Sequence, residues 1–340
     1  MTKNRLPEIV LLHCIGVLMI LFGHFAQYFN YSMLGEILIT GVPLFLFMSG
    51  YLVGFKPTPP DIKKWLKKKA SRILVPYYII LISIFGIYLA FSSETFIPKQ
   101  WLFLFTNLQG FTNYLFLNDL TGYYSPLDCG LGHFWFVSII MLCYMVVVVV
   151  SKLYDHSYIL QHHYQSIIFI TLIILQPLLL YYNLQINYIV IFCLGWIAAK
   201  TRFEICNRSF LSLTTGMILF VGVRFLGRRY LDDTLIYEKY LAILGSDAIG
   251  IWLFYAVFYL RRQLPTIINK IASFRVLVFL ESIIYEVFLI HHIIIKGAWS
   301  IFRFVDNPWY GVVIVLPLIL ILSVVVNKIS NAISGLLLEQ

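Results

Sequence analysis

The chain has 340 residues, of which 60% are hydrophobic and only 12% charged, and its mean hydropathy is +0.85. These values exclude a soluble globular protein of this length and predict an integral membrane protein. The net charge of +9 follows from membrane topology, so we expect no nucleic-acid partner.

Apolar runs that are long enough to form membrane helices follow one another along the chain. Each crossing needs about 20 apolar residues, so a chain of this length holds about ten spans with short connections. The sequence therefore predicts an all-α polytopic protein with a single integral membrane domain over 1–340. The first run is too long for the core of a cleavable signal peptide and is expected to remain as a helix. The predicted runs are 9–29, 34–55, 73–93, 134–151, 166–183, 187–199, 210–226, 241–260, 276–295 and 310–327.

Basic residues predict the orientation of these spans. If the N-terminus is cytoplasmic, the cytoplasmic segments contain most of the 25 Lys and Arg residues, including the run from Lys56 to Arg72. Because cytoplasmic connections carry an excess of Lys and Arg, we predict that both termini are cytoplasmic. The location that follows is the plasma membrane, with lipid around the spans. On the other side, the long connection 94–133 is expected to hold a short interfacial or re-entrant helix around Trp101.

Polar residues inside the spans indicate where the protein works. His13 and His24 lie eleven residues apart in the first run, on one helix face and about 16 Å apart along its axis. His133 opens the fourth run, and His291 lies in the last third of the ninth. In the predicted topology, His24, His133 and His291 lie at the same depth in the outer part of the membrane. An imidazole there costs free energy unless it takes part in a reaction or forms hydrogen bonds. Their convergence favours a site over three separate structural histidines.

Three further residues are weaker candidates for substrate binding. Arg228 lies in a predicted outer turn, 227–233, which is either a salt-bridged loop or a contact for an acidic glycan. Asp247, in the outer part of the eighth run, needs a partner such as Arg224 or a site histidine. Trp135 directly follows the connection 94–133, whose aromatic side chains are either interface anchors or a platform for a sugar ring. The sequence contains no metal-ligand spacing.

Five short motifs follow one another in order. They are Glu8–His24 with its two histidines, Gly41–Leu52 with the Ser49-Gly50 pair, Lys69-Ala-Ser-Arg72 leading into Pro76-Tyr77, His133-Phe-Trp135-Phe136, and Ser282–His291 with Tyr285. In these motifs the chain resembles, over nearly its whole length, the acyltransferase-3 family of integral membrane acyltransferases. That family modifies surface polysaccharides and other cell-envelope molecules, so the resemblance implies acyl transfer as the activity.

One position departs from the family pattern. His13 stands where the family usually has Arg, so an always-charged guanidinium is replaced by an imidazole. If the family's Arg binds the anionic part of the acyl donor, this chain either binds the donor differently or relies on Lys69 and Arg72. Otherwise the change marks a different donor or an inactive member.

Acyl transfer to a hydroxyl needs a base for the hydroxyl proton, a hydrogen-bond donor that stabilises the oxyanion, and a thioester that reaches the same point. His24 suits the first task, either as a general base or as a nucleophile that carries the acyl group. The sequence leaves these two routes open. His133, Tyr285 and His291 are the candidates to orient His24 or to stabilise the oxyanion.

The basic run between Lys56 and Arg72 predicts the donor. Coenzyme A esters are found in the cytoplasm, and Lys69 and Arg72 lie three residues apart, on one face of a helix. They are expected to clamp the phosphates of acyl-CoA, with His13 as a third candidate. The alternative is attraction of the basic run to anionic lipid headgroups. We expect acetyl-CoA as the donor substrate and no permanently bound cofactor.

The sequence thus predicts an O-acyltransferase that moves an acyl group, acetyl first, from coenzyme A to an envelope polysaccharide or a lipid-linked saccharide. Machinery for polysaccharide synthesis is an expected partner. The competing hypothesis is an exporter of polysaccharide or lipid-linked sugar, in which the same residues line a path and no chemistry occurs. A glycosyltransferase that uses Asp232-Asp233 with a metal is a weaker alternative, because no further acidic cluster supports it.

Overall fold

The computed structural model of the protein is built of helices, and no strand occurs in the segments that it describes. The described residues are 6–57, 59, 61–91, 98–110, 129–158, 187–201, 206–231, 241–297, 299–305 and 307–339. The helices are α1 Pro7–Tyr28, α2 Ser32–Leu38, α3 Gly41–Phe55, α4 Ile62–Phe91, α5 Pro98–Phe105, α6 Trp135–His156, α7 Asn187–Lys200, α8 Asn207–Leu231, α9 Ala242–Gln263, α10 Pro265–Ala272, α11 Arg275–Ser282, α12 Ile284–Lys296 and α13 Pro308–Glu339. The predicted all-helical class is confirmed.

Eight helical stretches in the described segments are long and apolar enough to cross a membrane. One of them, Met33–Phe55, joins α2 and α3, and another, Ile284–Arg303, joins α12 to a following 3₁₀ turn. Helix α7 is also apolar but has only 14 residues. These helices confirm a multi-pass membrane protein. The predicted run 166–183 lies outside the described residues, so the count of ten spans and the cytoplasmic termini stay predictions.

Helix α4 begins well before the apolar run that predicted it. The side chain of Asp61 caps the helix, since its Oδ1 accepts a hydrogen bond of 2.8 Å from the backbone N–H of Lys64. The helix then continues for 30 residues to Phe91. Lys69 and Arg72 therefore lie on the same rigid element as the span that follows them.

The predicted ninth span is wrong as an uninterrupted helix over 276–295. Helix α11 ends at Ser282, and α12 begins at Ile284. The hydroxyl of Ser282 donates a 2.6 Å hydrogen bond to the carbonyl of Phe279, and Ile283 has φ −120° and ψ 12°. Ile283 thus leaves the helical conformation, and the apolar run is divided in two at this residue.

The chain divides into two compact units. The first unit comprises Met1–Gly23, Ser32–Thr58 and Val149–Ser282. The second comprises His24–Tyr31, Pro59–Val148 and Ile283–Gln340. A single integral membrane domain over 1–340 stays a prediction.

In the first unit, α3 and α7 pack backbone to backbone. A Cβ on Gly50 would collide with the carbonyl oxygen of Phe192, and a Cβ on Gly195 would collide with that of Phe47. Small residues allow membrane helices to approach this closely, and dispersion contacts then hold them together. The two glycines therefore have a packing role.

In the second unit, α13 packs along α4 and α12. The hydroxyl of Tyr77 donates to the carbonyl oxygen of Leu104 at 2.5 Å, which ties α5 to α4. Trp101 of α5 is only 2% exposed and packs against Phe85 and Tyr88. The short helix predicted around Trp101 is thus present, but its tryptophan is a core residue of this unit rather than an interface anchor.

Candidate active site

Four imidazoles meet in the second unit, and we call them the histidine cluster. Helix α1 supplies His24, the 3₁₀ turn Gly132–Phe134 supplies His133, and α12 supplies His291 and His292. The ring centroid of His24 lies 5.1 Å from that of His291 and 4.8 Å from that of His292. The ring of His133 lies 5.3 Å and 5.0 Å from the same two rings. The two histidines of α12 thus connect the other two into one group.

The four side chains differ in burial. His291 is 1% exposed and His133 is 7% exposed, whereas His24 and His292 are half-buried. His24 and His292 are therefore the more accessible members of the histidine cluster.

Backbone oxygens hold His133 on both sides of its ring. Its Nδ1 lies 3.1 Å from the carbonyl oxygen of Gly130, and its Nε2 lies 2.9 Å from that of Leu289 in α12. A carbonyl oxygen only accepts, so the neutral ring donates to one of the two and the imidazolium donates to both. Neither nitrogen is left for a substrate in this arrangement. The geometry favours an orienting role for His133, and its predicted part in catalysis stays a prediction.

The turn around Gly130 supports two members of the cluster. Its carbonyl oxygen also lies 2.7 Å from Nδ1 of His292. The residue has φ +74°, and a Cβ added to it would stand 2.8 Å from Cα of Ile293. Glycine adopts this left-handed conformation without steric cost and leaves room for α12. Gly130 therefore sets the distance between the turn and the helix that carries His291 and His292.

His291 presents a free nitrogen to the cluster. Its Nδ1 faces the carbonyl oxygens of Val287 and Phe288 in the preceding turn of α12, at 3.2 Å and 2.6 Å. The neutral ring therefore carries its proton on Nδ1 and a lone pair on Nε2. That Nε2 is buried, and no group in the described segments forms a hydrogen bond with it. A buried polar atom without a partner is costly, which makes this nitrogen a candidate for substrate contact.

His24 is connected to a lysine through a glutamine. Its Nδ1 lies 3.1 Å from Oε1 of Gln27, one helical turn further along α1. The ammonium of Lys296, in the last turn of α12, lies 2.7 Å from the same Oε1. His24 thus has one nitrogen engaged by this pair of residues.

Tyr285 ties α12 to α4. Its hydroxyl donates to the carbonyl oxygen of Ile73 at 3.0 Å. It precedes His291 by six residues, which is about 9 Å along the helix. Its predicted role in orienting His24 or binding the oxyanion stays a prediction, and the contact seen is a structural one.

The neighbouring carboxyl group, Glu286, is buried in a polar network. Asn327 of α13 donates to its Oε1 at 3.0 Å, and the guanidinium of Arg72 acts on it electrostatically. Buried carboxyl groups need such partners in a membrane span. The hydrogen bond between Asn327 and Glu286 ties α12 to α13.

The two residues predicted to bind the donor differ in exposure. The ammonium of Lys69 lies 4.6 Å from the ring centroid of Tyr144 and 5.6 Å from that of Trp65, a cation–π arrangement. Arg72 is exposed one turn later on α4. Arg72 is thus accessible to an anion, whereas Lys69 is partly covered. Their role in donor binding stays a prediction.

His13 belongs to the first unit, where it faces an acid. Its Nδ1 lies 3.6 Å from Oε1 of Glu281, and its ring stacks on Phe45 at 6.0 Å. The carboxylate of Glu281 beside the ring would repel a phosphate. The surroundings of His13 therefore do not favour its predicted part in donor binding, which stays a prediction.

Arg228 is engaged by an acidic residue of α2. It lies 3.1 Å from Glu36, and Arg224 lies 3.3 Å from the same carboxyl group. Residues 227–231 continue α8 as a helix, so the predicted outer turn is wrong for them. Arg224 and Arg228 are four residues apart on this helix, which lets both reach the carboxyl group of Glu36. Asp232 and Asp233 lie outside the described residues.

The other two predicted substrate residues lie in α9 and α6. Asp247 is 3% exposed in α9, next to Ser246, whose hydroxyl accepts from Arg224 at 3.4 Å. Trp135 is half-buried at the start of α6, with its ring 6.1 Å from that of Phe136. Substrate binding by Asp247, Trp135 and Arg228 stays a prediction.

Sequence reasoning missed three residues of the site. His292 adjoins a predicted histidine, and Gln27 lies three residues after His24 on the same helix face, so local spacing could have indicated both. Lys296 gave no such signal, because its contact joins distant parts of the chain. No group of three or more His, Cys, Asp or Glu side chains in the described segments is arranged to hold a metal ion.

Comparison with known proteins gives one match. A family model described as an acyltransferase domain matches residues 6–328, nearly the whole chain. No match was found among curated proteins or among solved structures. The family match is independent of the geometry described above and agrees with the resemblance seen in the motifs.

Proposed function

The chain belongs to the acyltransferase-3 family of integral membrane acyltransferases, and from this premise we propose that it is an O-acyltransferase. The acyl group, acetyl in the simplest case, moves from coenzyme A to a hydroxyl of an envelope polysaccharide or a lipid-linked glycan. One observation supports this most strongly. The ring of His24 lies beside that of His291 at 5.1 Å, and each has its Nδ1 engaged by an oxygen. The unpartnered, buried Nε2 of His291 therefore lies next to the ring of His24.

In the first proposed route, His24 is a general base. Its Nε2 takes the proton of the acceptor hydroxyl while the hydroxyl oxygen attacks the thioester carbonyl carbon and the C–O bond forms. The tetrahedral intermediate then collapses, the C–S bond breaks, and its electron pair leaves on sulfur. The coenzyme A thiolate takes the proton from His24. The products are an ester and free coenzyme A, and no other reactant is needed.

In the second proposed route, His24 is a nucleophile. Its Nε2 attacks the thioester, coenzyme A leaves as a thiolate, and the acyl group rests on the imidazole. The acceptor hydroxyl oxygen then attacks the carbonyl carbon of this acyl-imidazole, and Nε2 of His291 takes the hydroxyl proton. The C–N bond breaks, its electron pair returns to Nε2 of His24, and the proton on His291 passes to the coenzyme A thiolate. The buried lone pair of His291 supports this route, because a second base must stand beside an acylated His24.

Binding of the donor is proposed at the start of α4. Arg72 is exposed and suits a bidentate contact with a phosphate, and Lys69 adds a second cation one turn away. The hydrogen bond from Tyr285 to the carbonyl of Ile73 supports this proposal, because it ties α4 to the helix that carries His291. Donor site and histidine cluster thus belong to one compact unit.

The cellular setting is part of the same proposal. Both termini are cytoplasmic, the protein lies in the plasma membrane, and the basic start of α4 meets acyl-CoA on the cytoplasmic side. Machinery for polysaccharide synthesis supplies the acceptor. The donor is a substrate, and no permanently bound cofactor is required.

The test compares three forms of the purified protein in lipid nanodiscs. With radiolabelled acetyl-CoA and envelope glycans, the wild type should transfer label to the glycans. The transfer rate of His24→Ala should be about 10²- to 10⁴-fold lower. His156→Ala is the matched control, because His156 is exposed at the end of α6 and should leave transfer unchanged. Mass spectrometry of envelope glycans should show acyl groups that disappear on deletion of the gene. Transfer that survives in His24→Ala, or glycans unaltered by deletion, would overturn the proposal.

A further inference from the structure

One oxygen receives two hydrogen bonds beside the histidine cluster. Oε1 of Gln27 lies 2.7 Å from Nζ of Lys296 and 3.1 Å from Nδ1 of His24. Gln27 and Lys296 are both half-buried, and neither residue belongs to the five motifs of the sequence. Their geometry determines how the ring of His24 carries its proton.

The lysine fixes the orientation of the Gln27 amide. An ammonium group only donates, so the glutamine atom that faces Lys296 must be the carbonyl oxygen and not the amide nitrogen. The orientation of the Gln27 side chain is therefore set by the lysine. A carbonyl oxygen only accepts, so the contact with His24 is a hydrogen bond only if Nδ1 carries the hydrogen.

The consequence concerns the other nitrogen. A neutral imidazole has one N–H, so a ring that holds its proton on Nδ1 has a lone pair on Nε2. Both proposed routes of acyl transfer need that lone pair, as base or as nucleophile. We propose that Gln27 and Lys296 are positioning residues, which hold His24 in the Nδ1–H tautomer and direct its Nε2 toward the substrates. The inference rests on the proposed function for its effect on rate, but the tautomer itself can be measured without activity.

A purely structural explanation exists for the lysine. Cations favour the last turn of a helix and the ends of membrane spans, where they satisfy carbonyl groups and fix topology. That explanation does not require Lys296 to contact Gln27, and it predicts no effect on the proton of His24. The two explanations therefore differ in what a second substitution should do.

The test is a rescue experiment. In Lys296→Met the amide of Gln27 is free to turn and donate its N–H to Nδ1, which moves the ring proton to Nε2. Acyl transfer should fall by about 10²-fold, the contribution of a correctly protonated base. Adding Gln27→Glu should restore much of the rate, because a carboxylate has no donor and again accepts from Nδ1–H. Gln27→Glu alone should stay active, and Gln27→Leu should lose activity as Lys296→Met does.

Two controls accompany these variants. Lys99→Met removes an exposed lysine of α5, and Gln263→Leu removes a glutamine of α9 whose amide reaches Asn207, so neither should change the rate. Thermal unfolding of every variant shows whether a loss of activity comes from a destabilised fold or from the changed tautomer of His24. A Lys296→Met protein that loses transfer and gains nothing from Gln27→Glu would overturn the proposal.

A spectroscopic measurement makes the inference independent of turnover. With ¹⁵N-labelled histidine, the signals that disappear in His24→Ala are those of His24, and their shifts tell a protonated ring nitrogen from a lone-pair one. The wild type should show Nδ1–H, and Lys296→Met should show Nε2–H. A wild-type His24 with its proton on Nε2 refutes the inference, even if the protein transfers acyl groups. Absence of transfer together with the Nδ1–H tautomer would instead count against the proposed function alone.

Discussion

His24 and His291 lie with their ring centroids 5.1 Å apart, although they come from opposite ends of the chain. The carbonyl oxygens of α12 engage Nδ1 of His291, and Gln27 engages Nδ1 of His24. Both rings thus have Nδ1 within hydrogen-bond distance of an oxygen, and Nε2 of His291 is buried without a partner in the described segments. The unpartnered nitrogen of His291 beside a second imidazole is difficult to explain by packing alone, because a buried polar atom without a partner lowers stability.

The first prediction concerns the coupling between these two histidines. If both act on the same reacting atoms, His24→Ala and His291→Ala should each lower kcat, and the double variant should be no slower than the worse single one. Residues in one catalytic unit show such non-additivity, with coupling energies of about 0.5–3 kcal/mol. The measurement is kcat for transfer from acetyl-CoA in all four forms. Losses that multiply would contradict a shared role, and His24→Ala combined with His156→Ala is the additive reference.

The helical membrane architecture and three of the four histidines of the cluster could be predicted from the sequence. Apolar runs of span length predict helices because lipid leaves the backbone no other partner. The spacing within each run then places His24, His133 and His291 at similar depth, since helix rise is constant. The depth of a residue within its own helix, however, does not predict which rings contact one another. The distances between the rings are known only from the structure.

Other features had no local signal. The apolar run 276–295 contains neither Pro nor Gly, so nothing predicted that the backbone would break at Ile283. The contact of Lys296 with Gln27 joins residues far apart in the chain, and spacing rules apply only within one helix. His13 shows the same limit, because its partner Glu281 follows from tertiary packing.

The second prediction concerns the glycine that supports two imidazoles. Gly130→Ala should lower thermal stability and acyl transfer together. Its φ of +74° disfavours an L-residue by about 1–2 kcal/mol, and the new Cβ would press on Cα of Ile293 at 2.8 Å. The carbonyl oxygen of Gly130, which lies within hydrogen-bond distance of His133 and His292, would then move with the turn. The measurements are the melting temperature in nanodiscs and the transfer rate.

A pair of substitutions separates the two causes at this position. Asn tolerates the left-handed conformation better than Ala, but it brings the same Cβ. Gly130→Asn should therefore be no more active than Gly130→Ala if crowding against α12 decides the effect. Gly86→Ala is the control, because nothing lies within 4 Å of the added Cβ on α4, and it should be neutral or slightly stabilising. An Asn variant with wild-type rate would show that crowding is unimportant.

The third prediction tests whether the basic start of α4 binds the donor or only attracts lipid. Lys69→Ala with Arg72→Ala should weaken acetyl-CoA binding by about 10- to 100-fold, since hydrogen bonds to charged groups contribute about 1.5–3 kcal/mol. Lys67→Ala with Lys68→Ala removes the same charge from exposed positions of the same helix and should leave most of the affinity. Calorimetry at several salt concentrations measures both pairs. Arg72→Ala alone should account for most of the loss, because the ammonium of Lys69 already faces the ring of Tyr144. Equal weakening by the two pairs would mean that the basic run acts only through its total charge, and the donor phosphates would then have to bind elsewhere.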